Sequence, residues 1–151
     1  MEIISTSRFA SYLEKQSFIK ETINSILDKW PKSGELELAI SNEIVELSDQ
    51  KDGTILVRIG FAKYLILFED YYREFNNTYH KMFWLRITFI KESLNEIDRT
   101  PYYKKIGEPF YLDPMGRLYD GADNRYDNQN FSYEYSLIGA FGTIVLNDAG
   151  L

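Results

Sequence analysis

Glu69, Glu74 and His80 come closest, by type and spacing, to a set for general acid–base catalysis. His80 is the only histidine in the chain, and imidazole is the one side chain that titrates near neutrality unaided. Hydrolysis through such a group needs a carboxylate to orient it, within hydrogen-bond reach. If the chain folds back at Asn76-Asn77, Glu74 stands diagonally across from His80, with Glu69 and Asp70 on the same arm. That is the hydrolase reading of the chain. Against it, a lone histidine beside a charged turn is ordinarily a surface residue, and no Gly-x-Ser-x-Gly elbow offers a nucleophile. With 23 acidic residues, neighbouring carboxylates such as Glu35 and Glu37 also arise by chance. No catalytic residue is therefore assigned.

Metal chemistry fares similarly. Asp120, Asp123 and Asp127, with Asn124 and Asn128, supply the hard oxygens that Ca²⁺ or Mg²⁺ prefers. An EF-hand loop begun at Asp123 puts Arg125 at the third position, where a ligand belongs. Begun at Asp120, it puts Ala122 third, Arg125 where the turn needs glycine and Phe131 where the bidentate Glu belongs. Both registers fail, so residues 120–130 are expected to be a solvated loop without a metal. Gly139-Ala140-Phe141-Gly142 lacks the spacing of a phosphate cradle, and no cofactor is expected.

Recognition chemistry is better supplied. The chain holds 12 tyrosines and 10 phenylalanines, with a net charge of −6 and no cysteine. Tyrosine buries a large area with few rotors to freeze and keeps a hydroxyl for a partner. Tyr72 and Tyr79 flank the Asn76-Asn77 turn, while Tyr119 and Tyr126 lie beside Asp120, Asp123 and Asp127. Rings displayed together with carboxylates suit a contact patch for a basic protein. The competing explanation is that aromatic residues simply fill sheet faces.

The elements that would position these groups begin with an amphipathic helix. Phe9, Tyr12, Leu13, Ile19, Ile23, Ile26, Leu27 and Trp30 recur at three- and four-residue spacing, interrupted at Gln16. Ser5, Thr6 or Ser7 can cap its start, and Pro31 bars helix at Trp30. Alternation in Glu35–Ile40 predicts a strand. Ile44–Leu47 and Thr54–Ile59 flank an Asp52-Gly53 turn as a hairpin. A second hairpin about Asn76-Asn77 has arms Tyr64–Phe75 and Thr78–Ile90, with Arg73 opposite His80 and Glu69 opposite Trp84; its rival is a helix through Glu69–Asn76. A short helix over Ser93–Arg99 stops at Thr100-Pro101. Pro109–Leu112 and Arg117–Tyr119 bracket Asp113-Pro114-Met115-Gly116, a type I turn. Tyr133–Leu146 reads as a closing strand, with Tyr133 and Tyr135 on one face and Gly139 and Gly142 at a bulge.

Together these predict one α+β domain over residues 1–151, an N-terminal helix packed on a mainly antiparallel, hairpin-built sheet. The expected core is Leu13, Ile19, Ile23, Ile26, Leu36, Leu38, Val57, Ile59, Leu65, Leu67, Leu85, Ile87, Ile144 and Leu146. The acidic balance argues against nucleic acid, which demands Lys and Arg. The longest apolar run, Leu65–Phe68, is far short of a membrane span, and the start lacks the pattern of a signal peptide. Absent cysteines fit a reducing, cytoplasmic setting. The functional expectation is a non-catalytic binding protein, an inhibitor or immunity type that neutralises a basic toxin or nuclease by protein contact. The alternative is a module for a nucleotide-like small ligand, stacked on tyrosine.

Overall fold

The structure, a computed structural model, describes residues 6–74, 81–127 and 130–151, and within these all side chains except those of residues 6, 7, 35, 72–74 and 81–83. Helix α1 spans Thr6–Lys29 and a 3₁₀ turn follows over Trp30–Lys32, with Pro31 at the break. The capping side chains at its start lie outside the described set. Helix α2 is Gly34–Ser41. The strands are β1 Val45–Asp49, β2 Thr54–Ile59, β3 Ala62–Glu74, β4 Lys81–Leu94, β5 Pro101–Lys105, β6 Phe110–Leu112 and β7 Leu118–Tyr119, and helix α3 is Tyr133–Asp148. All ladders are antiparallel, in one seven-stranded sheet of order β1-β2-β3-β4-β6-β7, with β5 alongside β4. The architecture is α+β.

Strand register sorts the side chains onto two faces, because partners opposite one another point the same way. One face carries Val57, Tyr64, Ile66, Phe68, Ile87, Phe89, Phe110, Leu112 and Leu118. Ile19, Ile23, Ile26 and Trp30 press on it from the helix side, joined by Leu137, Ala140 and Phe141 of α3. Each large apolar side chain so buried contributes about 1.5–3 kcal/mol. Phe141 is the hub, stacked on Trp30 at 5.9 Å, edge-on to Tyr64 at 5.8 Å and tilted against Phe89 at 5.5 Å. The opposite face holds Leu56, Leu65, Leu67, Ile90, Tyr71, Arg86 and Tyr111, all half-buried.

Three elements depart from the sequence reading. Glu35–Ile40 is helix, not strand: in so short a run Leu36 and Ile40 satisfy helical as well as alternating spacing, and the helix turns Leu36, Ala39 and Ile40 inward while Leu38 stays exposed. Tyr133–Leu146 is also helix. Leu137, Ala140, Phe141 and Ile144 recur at helical spacing there, a signal masked by the β-prone aromatic and branched residues between them. Tyr133 is half-buried and Tyr135 exposed, so they share no face. Ser93 and Leu94 continue β4, and the turn beyond is held by the Asn95 side chain, which accepts from the backbone N–H of Ile97 at 2.9 Å. Of the two readings of Glu69–Asn76, the hairpin arm holds over its helical rival as far as Glu74.

The long hairpin keeps its predicted arms but pairs two residues out of the expected register: Glu69 faces Arg86, Tyr71 faces Trp84 and Arg73 faces Met82. An even displacement leaves every side chain on its face, so the pattern of the strands could not distinguish the two. The turn at Asn76-Asn77 and His80 lie outside the described residues. In the core, Leu13, Leu38 and Leu146 are exposed instead of buried, while Leu36, Ile59, Leu65, Leu67 and Ile144 are half-buried. Leu65 and Leu67 sit on the face away from the helices, one pleat from the buried Tyr64, Ile66 and Phe68.

A buried carboxylate ties α1 to α3. Glu134 is 3% exposed; Ser25 donates to its Oε1 at 2.6 Å and Lys29 Nζ lies 3.4 Å from its Oε2. Trp30 Nε1–H donates to the Glu134 carbonyl at 2.8 Å. Burial opposes ionisation of Glu134, yet the hydroxyls of Ser25 and Ser132, backbone hydrogen bonding and the Lys29 charge outweigh it and hold the group below its ordinary 4.5. A lowered folded pKa stabilises the fold above the unfolded value, and that contribution disappears as pH falls through the folded one. Glu134→Ala is therefore expected to cost about 2 kcal/mol at pH 7 by urea denaturation, since the half-buried Ser25 hydroxyl and Lys29 ammonium lose their partner. The gap from the unmodified protein narrows below pH 4.5.

Candidate functional site

The loop after β7 is built by its own carboxylates. Asp113, 1% exposed, accepts the backbone N–H of Met115 and of Arg117, each at 2.9 Å, and pairs with Arg117 Nε at 2.7 Å. These bonds set the β6–β7 turn where the Asp-Pro-x-Gly pattern predicts it. Asp120 Oδ1 accepts from Ala122 N at 2.9 Å and Asn124 N at 3.0 Å. Asp127 Oδ1 accepts from Leu118 N at 3.0 Å, and Arg125 grips both oxygens at 2.8 and 2.9 Å. Burial works against the Asp127 charge, but Arg125 and the Leu118 amide prevail and keep its pKa low. Asp123 occupies the left-handed region at φ 66°, half-buried. Among the described residues no three His, Asp or Glu side chains converge as a metal site.

The tyrosines expected beside this loop divide. Tyr119 is buried, its ring 5.1 Å from Trp84, whereas Tyr126 is 41% exposed and rests edge-on against Phe110 at 4.9 Å. Tyr72 lies on β3 with its side chain outside the described set, and Tyr79 falls outside the described residues. On the face away from the helices, Arg86 sits 5.0 Å over the Tyr71 ring, which meets Tyr111 at 5.2 Å, and pairs with Glu69 at 3.2 Å. Glu69 thus serves an ion pair with Arg86. The Glu74 side chain and His80 are outside the described set.

The structure also forms a cleft that sequence reasoning missed. About 740 Å³ in volume, it lies between the middle of α1, the β1–β2 loop and β3. Ile19, Ile23 and Phe68 give it an apolar floor, and Asp49, Asp52 and Asp70 stand on its rim with Lys20 and Lys51. The loop is rigidly made. Asp49 Oδ1 accepts Lys51 N at 2.9 Å, Asp52 Oδ1 accepts Thr54 N at 3.1 Å, and Phe68 N donates to the Gly53 carbonyl at 2.9 Å. Gly53 has φ 86°, and a Cβ there would also stand 3.4 Å from the Phe68 carbonyl, so glycine is required. The Lys51 amide, then its ammonium and that of Lys20, lowers the pKa of Asp49 against a small cost of burial, which keeps this rim charge ionised. No local pattern announces the cleft, since it depends on α1 meeting a loop far along the chain.

Compared with family models, with curated proteins and with solved structures, the chain matches none. Its chemistry is therefore read from its own geometry: a shaped apolar cleft with a carboxylate-rich rim, and, elsewhere on the sheet, a loop in which Asp120 and Asp127 are engaged internally. Replacing Asp127 with Ala is expected to destabilise the protein by about 1–3 kcal/mol and to speed hydrogen exchange at the Leu118 amide, since a backbone donor and Arg125 lose their acceptor. Asp127→Asn, which keeps an oxygen for Leu118, is expected to cost less in the same measurements.

Proposed function

We propose that this chain is a non-catalytic binding protein of the inhibitor or immunity type, neutralising a basic protein such as a toxin or nuclease by direct contact in the cytoplasm. The observation that carries this reading is the cleft between α1 and the β1–β2 loop, whose apolar floor is bordered by Asp49, Asp52 and Asp70. An apolar floor supplies contact area once water leaves it, and rim carboxylates steer and orient a cationic partner. The net charge of −6 adds long-range attraction of the same sign.

A second reading is favoured by the size of the cleft, which falls within the range of small-molecule sites. Under that reading a nucleotide-like ligand occupies it, beside Lys20 and Lys51. Native mass spectrometry of the purified protein separates the two, because a retained small molecule supports the second.

The protein reading is tested by affinity capture from cell extract, followed by titration of the purified captured protein. Asp70→Lys reverses one rim charge on β3, away from the bonds that shape the loop. It is expected to weaken a one-to-one complex at least about tenfold, chiefly through a slower association rate that falls with added salt. An acidic captured protein, or unchanged affinity in the variant, removes the reading.

A further inference from the structure

Strand β3 is longer than its neighbour on the cleft side. Pairing with β2 ends where Thr54 faces Leu67, and the final bond on that side is Phe68 N to the Gly53 carbonyl. β3 nevertheless continues to Glu74, paired on its other side with β4 through Glu74 opposite Lys81. Within a strand, both backbone polar groups of one residue point the same way and alternate along the chain. Those of Asp70, Tyr72 and Glu74 therefore point as Phe68's do, into the space beyond the end of β2. Among the described residues no strand pairs with them there.

Helix α1 runs beside this space. Gln16 borders the cleft with Asp70, whereas Trp30 stacks on Phe141, which meets Tyr64. Gln16 to Trp30 along a helix and Asp70 to Tyr64 along a strand each span about 20 Å, so helix and strand travel together in opposite directions. Continuing toward its N-terminus, α1 carries Phe9, Tyr12 and Leu13 past Asp70 toward the end of the hairpin. These are the members of its apolar stripe that remain 57, 56 and 49% exposed. An unpaired backbone edge, an uncovered apolar stripe and a rim of Asp49, Asp52 and Asp70 thus adjoin one another.

We infer that this slot receives an extended, basic segment of the protein partner as an added strand, hydrogen-bonded to Asp70 and Tyr72 of β3 and lying in line with β2. The inference rests on the protein-capture reading of the cleft. The bare edge demands an extended backbone, because only a strand can match donors and acceptors repeating every second residue. Charge selects the side chains: Asp49 is already paired with Lys51 at 3.4 Å, so Lys or Arg near the loop answers Asp52 and Asp70, while apolar residues turned toward α1 cover Phe9, Tyr12 and Leu13. An exposed edge of this kind otherwise invites unselective pairing, so a dedicated occupant has a structural purpose.

The probes are three synthetic hexapeptides: alternating lysine and valine, the same with glutamate for lysine, and the lysine peptide with proline at the central valine. Binding is read by fluorescence anisotropy, and protection by NMR hydrogen exchange at the Asp70 and Tyr72 amides. The lysine–valine peptide is expected to bind and slow exchange at both amides at least about tenfold, because they gain ladder bonds. The glutamate and proline peptides are expected to bind at least about tenfold more weakly, from charge repulsion and a lost donor respectively. Leu13→Asp, at an exposed position, is expected to weaken the lysine peptide without lowering the melting temperature.

Equal binding of the lysine and proline peptides overturns strand addition, as does protection of both amides already present in the peptide-free protein. Should the captured partner bind in a manner sensitive to Asp70→Lys while both amides stay unprotected in the complex, strand addition fails and the protein-capture reading stands. Insensitivity of that partner to Asp70→Lys defeats the capture reading itself.

Discussion

Glu134 joins the two ends of this chain. Its carboxylate and carbonyl receive Ser25, Lys29 and Trp30 of the first helical segment, so α3 and the C-terminal half of α1 are set side by side. A carboxylate removed from water needs partners, and here Oε1 takes the Ser25 hydroxyl while Oε2, without a hydrogen bond, has the Lys29 charge 3.4 Å away, so the alignment of the helices is specific and not merely sticky. Tyr133 lies at the same seam, its phenol pushed up to about 12 by burial and then by the adjacent Glu134 charge. With Trp30 and Phe141 stacked just beneath, the two helices present a single apolar surface to one face of the sheet.

This anchoring has consequences at a distance. Because α1 is held from Ile19 to Trp30, its earlier turns overhang, with Phe9, Tyr12 and Leu13 left partly in solvent. Because β2 stops at Thr54 while β3 continues, β3 beyond Phe68 has, among the described residues, no strand paired with it on that side. The cleft is the gap left by a long helix, a short strand and a rigid loop. It needs no special residue of its own beyond Gly53.

The acidic residues separate into two populations that composition does not distinguish. Asp113, Asp120 and Asp127 face backbone amides and arginines, and their charge is consumed in shaping the β6–β7 turn and the loop beyond it. Asp49 and Asp52 also hold their loop at the mouth of the cleft; Asp49 is already paired with the Lys51 ammonium at 3.4 Å, while Asp52 and Asp70 stand on the rim where a cation can reach them. A charge spent on a local amide contributes to rigidity; one on a rim contributes to steering and selectivity. The difference is one of placement.

Local chemistry in the sequence determined the N-terminal helix, the turns at Asp52-Gly53 and Asp113–Gly116, and the arms of the long hairpin. In each, a periodic stripe or a turn residue acts within a few neighbours. The α+β class followed from those elements. Tertiary structure decided the rest. Glu35–Ile40 satisfies two periods at once and Tyr133–Leu146 hides a helical one among β-prone residues; helix is the form that packs Leu36, Ala39 and Ile40 on the core and sets Phe141 against Trp30 and Phe89. The two-residue displacement that sets Glu69 against Arg86 preserves every face, so nothing in the strands themselves distinguishes it. Leu65 and Leu67 on the face away from the helices reflect which side α1 and α3 cover, whereas Tyr119, opposite Tyr111 on that same uncovered face, is buried against Trp84. The cleft was illegible for the same reason: it joins α1 to the β1–β2 loop and β3, and apposition between segments distant in sequence is created by the fold and not by any local pattern.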